Sequence, residues 1–380
     1  MLKRLFVDGY KCYSDFEMKF EGGAFSFLAG RNGSGKTTLF EVMMLLRDIS
    51  ALGKPLVDET SGRYAVMGDT NTRWRDNLRE QRFEMDVCLN GGMYHYTLVV
   101  DLPDKTKSPR IQSEIVQHDN KPIYSFVKGD VRLYNNKYEA KTSFHVDWSR
   151  SFLSSIAARA ENSRLMRFRE WLSQIVCIRP NPTLMNSVAQ SEVRRPDIQL
   201  SNFASWLRFL KQSADDELYS QYLDDVKSCI PGLSGIKFND VGDGAKELCV
   251  TLKRRNVIRD FRFSELSDGQ KMLMAMYAVV YFAIKEAAVV CIDEPDNYLA
   301  LSEITPLISS MQDAVEDGKG AQFMVASHHP EFYRQLAMDE GFLMRRAENG
   351  STSVAKISDV LAAKNIKLPI ADVFARGWED

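Results

Sequence analysis

The chain has five histidines and six cysteines in 380 residues, and neither set forms a metal-binding cluster. None of the cysteines (Cys12, Cys88, Cys177, Cys229, Cys249, Cys291) belongs to a C-x-x-C pair, which argues against zinc-ribbon and dithiol redox chemistry and leaves reduced structural thiols. His95, His118 and His145 are dispersed, so no histidine metal centre is expected. No uncharged apolar run is long enough to span a bilayer and no secretory leader precedes the first strand, so the expectation is a soluble, cytoplasmic protein with no membrane partner. A formal charge of −2 gives no whole-molecule attraction to nucleic acid; any such contact has to come from a local basic patch. Internal repeats, low-complexity tracts and sustained heptads are all missing, which excludes a solenoid, a long flexible linker and a long coiled coil. With 44% hydrophobic residues the chain can still bury one large core or two modest ones.

What is present is a phosphate-loop pattern. Gly30-Arg31-Asn32-Gly33-Ser34-Gly35-Lys36-Thr37 satisfies G-x-x-x-x-G-K-[ST] at every required position. The glycines let backbone N–H groups close around phosphates, Lys36 neutralises β/γ charge, and the Thr37 hydroxyl can ligate Mg2+. Residues 25–29 read as a buried strand and residues 38–46 as a helix whose N-terminus faces the phosphates. Gly30, Asn32, Gly33, Ser34, Gly35, Lys36, Thr37 and Thr38 are therefore the expected contacts of a nucleoside triphosphate.

Further along, residues 287–292 form an apolar run of strand length that ends in Asp293-Glu294-Pro295. Two carboxylates thus emerge at a strand's C-terminal end, where α/β sheets place ligands. Asp293 is the expected Mg2+ partner, and Glu294 is placed to polarise an attacking water, since phosphoryl transfer is catalysed chiefly by positioning and charge stabilisation. An acidic turn after a strand is common; its place downstream of a phosphate loop gives it meaning.

Between these motifs lies Ser264-Glu265-Leu266-Ser267-Asp268-Gly269-Gln270-Lys271, ahead of a helix-like stretch over 272–284. Here the sequence resembles the ABC-type ATPases, whose signature is Leu-Ser-Gly-Gly-Gln; Leu266, Ser267, Gly269 and Gln270 match and Asp268 replaces the first glycine. The resemblance implies that Ser267, Gly269 and Gln270 bind the γ-phosphate held by another subunit. The alternative is a plain helix start with Ser267 or Asp268 as N-cap. Phe323-Met324-Val325-Ala326-Ser327-His328-His329-Pro330 follows, and the resemblance makes His328 the switch histidine beside the γ-phosphate, with His329 unassigned. The implied catalytic set is Glu294, His328 and Lys36. Implied Mg2+ ligands are Thr37, Asp293 and a lid glutamine, for which Gln174 is the choice and Gln81 the competitor.

The opening, a strand over residues 2–7, a turn through Asp8-Gly9-Tyr10-Lys11 and a strand over 16–20, resembles the RecF/SMC branch of that family. Lys11 then either meets a nucleotide base or sugar or is a solvated hairpin lysine. Asn90-Gly91-Gly92 between two alternating segments marks a hairpin, and strands over 111–117 and 123–128 complete an antiparallel β subdomain. Residues 150–173 read as helical, 174–178 as a strand, and 200–228 as two helices where SMC chains carry coiled-coil arms.

The resulting expectation is an α/β fold, a three-layer P-loop NTPase core of ABC-ATPase type with an antiparallel β subdomain and a helical lid. Its divisions are 1–150 (phosphate loop and β subdomain), 151–245 (helical insertion) and 246–380 (signature, Asp-Glu and switch histidine). The resemblance implies ATP and Mg2+ as cofactors and a homodimer with two sandwiched ATP sites. A DNA contact is a further implication, and the missing effector domain points to a separately encoded nuclease or toxin in repair or anti-phage defence. A slow-turnover, ATP-loaded scaffold is the alternative. A transporter subunit fits less well, because the interval from Lys36 to Asp293 is long and the opening hairpin is of RecF/SMC type. Lys253, Arg254, Arg255, Arg259 and Arg262 on an expected hairpin, and Arg164, Arg167 and Arg169 on an expected helix, are either phosphate contacts or solvated faces. Ala300 stands where ABC transporters place an aspartate, which passes any communication role to Asp296, Asn297 or the backbone.

Overall fold

The structure, a computed structural model, describes all residues except 21–22, 59–60, 64, 69, 73–79, 104–107, 317–320 and 365–380. Two compact units divide the chain, Met1–Ile175 with Leu336–Asp380, and Val176–Gln335. The chain begins in the first unit with β1 (Leu2–Asp8), β2 (Phe16–Lys19), β3 (Phe25–Ala29), α1 (Lys36–Leu46), β4 (Glu80–Leu89), β5 (Gly92–Asp101), β6 (Arg110–His118), β7 (Lys121–Val127), β8 (Asp130–Tyr134), β9 (Ala140–His145) and α2 (Ser163–Ser173). After β10 (Ile175–Ile178) come β11 (Val188–Ala189), α3 (Phe203–Ser213), α4 (Asp216–Cys229), β12 (Leu233–Gly242), β13 (Ala245–Arg254), β14 (Val257–Arg262) and α5 (Asp268–Ala278). The second unit goes on through α6 (Ile284–Glu286), β15 (Val289–Asp293), α7 (Leu301–Glu316) and β16 (Gln322–Ala326). Across α8 (Pro330–Glu340) the chain returns to the first unit for β17 (Gly341–Arg346), β18 (Thr352–Lys356) and α9 (Ile357–Lys364).

In the first unit an antiparallel sheet runs β2-β1-β4-β5-β6-β7-β8-β9. Its tight turns follow from residues that tolerate left-handed backbone. Asn90 and Gly91 (φ 49° and 78°) join β4 to β5, and Asp119 and Asn120 (φ 49° and 62°) join β6 to β7. Alternation in β5 buries Tyr94, Tyr96 and Leu98, and α2 covers this face with Leu165, Phe168 and Trp171; Phe168 lies 5.9 Å from the Tyr94 ring and 5.4 Å from that of Tyr96. Beside this sheet element, β3 pairs in parallel with β17, which pairs antiparallel with β18.

Only the second half of the helix expected over 150–173 forms. Arg169 Nη1 donates to the carbonyls of Leu153 (3.2 Å), Ser154 (3.1 Å) and Ile156 (2.6 Å), acceptors that a continuing helix would have used internally. Two short 3-10 turns, Leu153–Ser155 and Ala160–Asn162, take its place.

A buried polar network ties the end of the α1 segment to the β subdomain. α1 continues into a π-helical turn, Arg47–Ala51, whose Ser50 hydroxyl lies 2.5 Å from the Tyr96 hydroxyl. Glu114, fully buried on β6, accepts from Tyr96 (3.0 Å), Tyr124 (3.1 Å) and Ser151 (2.7 Å). Burial raises the Glu114 carboxyl above its ordinary range, and the surrounding hydroxyls pull the other way.

In the second unit β15 and β16 pair in parallel, with β10 beside β15. β12, β13 and β14 form an antiparallel meander, to which β11 adds a short pairing on β13. β12 was not expected, because Leu233–Gly242 carries two glycines and an Asn-Asp pair; its register with β13 makes it a strand. Met272 through Ala278 of α5 are all buried, and the Tyr222 hydroxyl of α4 donates to the Met274 carbonyl (3.2 Å). Among the described residues no helix is long and apolar enough to cross a membrane.

Replacing Glu114 with Ala leaves three buried hydroxyls short of an acceptor and is expected to cost about 2–3 kcal/mol in urea unfolding. Because the folded carboxyl titrates above its unfolded value, stability is full below the unfolded value and falls as pH rises through the folded one. In Glu114→Gln that part of the pH slope should vanish; an unchanged slope would show that Glu114 ionises normally.

Candidate nucleotide site

Every residue of β3 is buried, and the chain leaves it through Gly30 at φ 144°, Gly33 at φ 79° and Gly35 at φ 108°. A Cβ on Gly30 would sit 2.3 Å from the Met344 carbonyl oxygen and 2.8 Å from Ser34 Oγ. On Gly35 it would meet Cys12 Sγ at 3.0 Å, Tyr13 Cε1 at 3.1 Å and Thr352 Oγ1 at 3.2 Å. The loop is braced from outside: the Tyr13 hydroxyl donates to the Gly35 carbonyl (2.8 Å) and the Thr352 hydroxyl to the Ser34 carbonyl (2.9 Å). Lys36 is buried, and its ammonium donates to the carbonyls of Gly30 (2.7 Å) and Arg31 (3.2 Å).

α1 starts here without a side-chain cap and without an acid in its first turn. Its N–H groups and dipole are thus uncompensated by any side chain at the cap, a ready anion site. Among the described residues the buried Ser34 hydroxyl has no hydrogen-bond partner. An orphaned donor, a cradle that one Cβ would fill and a buried ammonium fit a polyphosphate. Lys11, by contrast, pairs with Glu41 (2.6 Å), and Tyr10 and Tyr13 are buried, so this turn braces the loop.

In the second unit Asp293 ends the fully buried β15. Arg179 Nε, in the loop after β10, lies 3.8 Å from its Oδ2. Glu294 takes a left-handed backbone (φ 55°), uncommon for a residue with a side chain. Its N–H donates to the Ala326 carbonyl (2.8 Å) and its Oε2 accepts from Asn297 Nδ2 (2.7 Å). Asp296 bonds Ser327 through one oxygen while Oδ1 is buried without a partner among the described residues, and burial raises its carboxyl above the ordinary range.

His328 is exposed just after β16, and His329 is half-buried. The Nδ1 of His329 accepts from the Glu331 N–H (3.1 Å), and the His329 N–H donates to Ser327 Oγ (2.9 Å). His329 thereby caps the start of α8, with Pro330 behind it, and its ring proton sits on Nε2 in the neutral form.

Ser267 is the N-cap of α5. Its hydroxyl accepts from the Gln270 N–H (3.3 Å) while Gln270 Oε1 accepts from the Ser267 N–H (3.1 Å), a reciprocal capping box. Ser267 is nevertheless exposed. Asp268 is drawn to Lys271 (3.5 Å). Gly269 is required where it stands, because a Cβ would lie 2.8 Å from the Tyr298 carbonyl of the loop after β15. Signature and acidic loop therefore touch.

Two glutamines were weighed for Mg2+. Gln81 is fully engaged: buried, its Oε1 accepts from the Met67 N–H (3.0 Å) and its Nε2 donates to the carbonyls of Gly9 (3.0 Å) and Asn71 (2.9 Å). Gln174 ends α2 as its C-cap residue. Among the described residues no three acids, histidines or cysteines cluster as a metal cage. That suits Mg2+, which takes one or two protein oxygens and completes its shell with phosphate and water. The Thr37 hydroxyl in the first unit and the Asp293 carboxylate in the second are oxygens of that type.

Of the two basic clusters, the one on α2 is spent on structure. Arg164 donates to the Asn136 carbonyl (2.9 Å) and covers Tyr138, Arg167 bonds Tyr94, and Arg169 holds the turn described above. The sequence reading missed Arg179, hidden in an Arg-Pro-Asn-Pro breaker. The signal was available: a cation directly after a buried strand, at the sheet edge where ligands gather.

A buried strand opening into this loop and helix, with Asp-Glu closing a second buried strand behind a capped Leu-Ser-x-Gly-Gln, defines an ATP-binding head of the ABC/SMC-like class. The fold is similar to that of an SMC head crystallised with the C-terminal winged-helix domain of ScpA, at 14% identity and a TM-score of 0.54 over 96% of this chain and 99% of that one. It is also similar to a Pyrococcus furiosus Smc head with an extended coiled coil bound to the C-terminal domain of ScpA, at 13% identity and a TM-score of 0.50 over 96% and 98%. At such identities the likeness is one of fold, and it bears out the mixed α/β, ABC-type architecture expected from sequence. The profile of the family described as "AAA domain, putative AbiEii toxin, Type IV TA system" matches residues 25–333, and the chain belongs to that family. No curated protein matches it.

Gly30→Ala should abolish nucleotide binding and lower stability by about 2 kcal/mol or more, because both the left-handed backbone and the Met344 carbonyl oppose a Cβ. Gly33→Ala, where only Arg346 approaches (3.8 Å), should cost less. Thermal shift with and without ATP checks both; equal effects would mean the Gly30 contact is not a constraint.

Proposed function

We propose that this chain is an ATP-hydrolysing head that pairs with a second copy around MgATP and gates a separately encoded effector. The observation that carries this is the uncapped start of α1 with the orphaned Ser34 hydroxyl beside buried Lys36. Gly30, Asn32, Gly33, Ser34, Gly35, Lys36, Thr37 and Thr38 bind the phosphates. Thr37 and Asp293 would hold Mg2+, with Gln174 as an added ligand, and the bound ion would supply charge neutralisation to the phosphates.

Glu294 orients the attacking water. Its carboxylate is steadied by Asn297, which fixes a direction for the acceptor. His328 is the exposed histidine of the pair and takes the γ-phosphate contact, His329 being committed to the α8 cap. Ser267 serves the partner molecule's nucleotide. Its exposure supports this, and the exchange it asks for is small: a neutral cap bond gives way to a charge-assisted one. Two copies then close two equivalent sites, and hydrolysis releases them.

The effector reading is supported by the family's description, which names a type IV toxin–antitoxin system, and the ScpA complexes of the SMC heads offer a precedent for an accessory protein on this fold. We place the protein in the cytoplasm, with nuclease- or toxin-linked defence or DNA repair as the process. A slower reading, in which the ATP-loaded state itself is the signal, is favoured by the restraint of Glu294 in a left-handed conformation, which must be held through every turnover.

Glu294→Gln should retain ATP, lose turnover by about a hundredfold or more, and double in solution mass when ATP is added. A monomer under those conditions overturns the paired-site reading, and preserved cellular output from this variant favours the ATP-loaded scaffold. Arg179→Ala removes a largely exposed cation that competes for Asp293, so the Mg2+ concentration giving half-maximal ATP binding should fall by roughly two- to fivefold. Arg179→Lys should restore it, and an unchanged Mg2+ dependence removes Arg179 from the site.

A further inference from the structure

The hairpin of β13 and β14 is a strongly basic surface of the second unit that the nucleotide site does not use. Its register pairs Lys253 with Ile258 and Arg254 with Val257, around a turn at Arg255 (φ 55°). β12 pairs with β13 as far as Leu252 and the Lys253 N–H still donates to the Gly232 carbonyl (2.7 Å), beyond which the tip projects as two strands with both faces in solvent. Val257 and Ile258 are 54% and 62% exposed, one on each face. A two-stranded finger of this kind is marginal alone in water.

Its charge is uncompensated. None of Lys253, Arg254, Arg255 and Arg259 has an acidic partner among the described residues. Asp260, the acid of β14, is already held by Lys237 (2.5 Å) and by the Thr251 hydroxyl (2.7 Å), and Arg262 faces Glu247 (3.5 Å). β14 pairs with β13 on one side, and among the described residues no strand pairs with its other edge.

Edge lysines and arginines also protect sheets from pairing with one another, but that role does not call for exposed valine and isoleucine on the same strand. A second copy of the hairpin is disfavoured by repulsion between two such clusters. Phosphates of a nucleic acid would satisfy the cations, yet they gain nothing from Val257 and Ile258 and have no N–H groups for the carbonyls of an open strand edge. An extended protein segment of alternating acidic and apolar residues answers all three features: its carboxylates fall on the face of Arg254 and Arg259, its apolar side chains on the face of Ile258, and its backbone meets the edge.

We infer that β14 is the docking strand for an acidic, alternately apolar segment of the partner protein, which adds to the open edge. This deepens the effector reading above by naming the partner's chemistry. The position also couples docking to the nucleotide side of the unit. β14 runs through the turn Phe263–Glu265, where the Arg262 N–H donates to Glu265 Oε2 (2.7 Å), and Leu266 leads straight to Ser267. A clamp on β14 therefore stiffens the approach to the signature serine.

The test is fluorescence anisotropy with a labelled peptide of alternating glutamate and valine, a polyglutamate peptide, and a mixed-sequence duplex DNA. The full chain is used, with ATP binding measured in parallel. The alternating peptide should bind, polyglutamate more weakly, and duplex DNA least. Arg254→Glu with Arg259→Glu should weaken the alternating peptide by about tenfold or more while leaving ATP binding intact. Should that double variant misfold, Ile258→Thr should still narrow the gap between the alternating peptide and polyglutamate. Stronger binding of DNA than of peptide, ATP-independent self-association lost in the charge variant, or no binding of any probe each overturns the inference. Because ATP binding and the Glu294→Gln mass shift are separate readouts, such a failure leaves the ATPase reading standing, and loss of those two leaves peptide docking still measurable.

Discussion

The N-terminus of α1 presents a positive dipole end and starts without a side-chain cap, and the first unit is built around the loop that leads into it. Gly35 takes a left-handed conformation as the capping residue and offers no oxygen of its own. The surrounding chain holds the loop by its carbonyls instead: Tyr13 through Gly35, Thr352 through Ser34, and the Met344 carbonyl pressed against Gly30. Those braces come from residues far apart in the chain, so the loop's shape is a property of the assembled unit. Holding the loop in its shape in advance lowers the ordering cost of binding a ligand.

The second unit collects its own unsettled groups around the end of β15. Glu294 sits in a sparsely populated backbone region, and Asp296 beside Ser327 keeps one oxygen buried without a partner among the described residues. Such features persist only where the surrounding structure over-determines them. Here that structure is β16, whose Ala326 carbonyl receives the Glu294 N–H, and α8, whose start is capped by His329. The contact of Gly269 with the Tyr298 carbonyl joins this cluster to the start of α5. A shift in the acidic loop is thereby felt at Ser267 through packing alone, with Ala300 in the place where transporter ATPases use a carboxylate.

Ser267 illustrates how one residue serves two readings at once. It caps α5, as the plain reading of Ser-Asp-Gly required, and it is exposed, as the signature reading required. A cap bond of this type contributes about 1 kcal/mol, small beside a charge-assisted bond to phosphate, so the two roles are compatible. Asp268, which stands in place of the signature's first glycine, is turned toward Lys271.

Local chemistry made much of this molecule readable in its residues. Glycine, lysine and threonine at fixed spacing mark a phosphate loop because only those types meet its backbone and charge demands, and Asn90-Gly91 marks a hairpin because few other pairs accept two left-handed residues. Alternation announced β5, and an apolar run ending in Asp-Glu announced β15. What depended on distant partners was illegible: β12 is a strand because β13 pairs with it, residues 150–162 are not a helix because Arg169 takes their carbonyls, and Gln81 is a loop clamp because three backbone groups converge on it. Arg179 reaches Asp293 only once β10 lies beside β15, and the bare charge of Lys253, Arg254, Arg255 and Arg259 emerges only when Asp260 is seen to be held by Lys237. Sequence by itself determined which groups can bind a triphosphate, since that is a matter of residue type and spacing; the tertiary structure alone decided which of the remaining charges are already neutralised, since that depends on neighbours brought in from far along the chain.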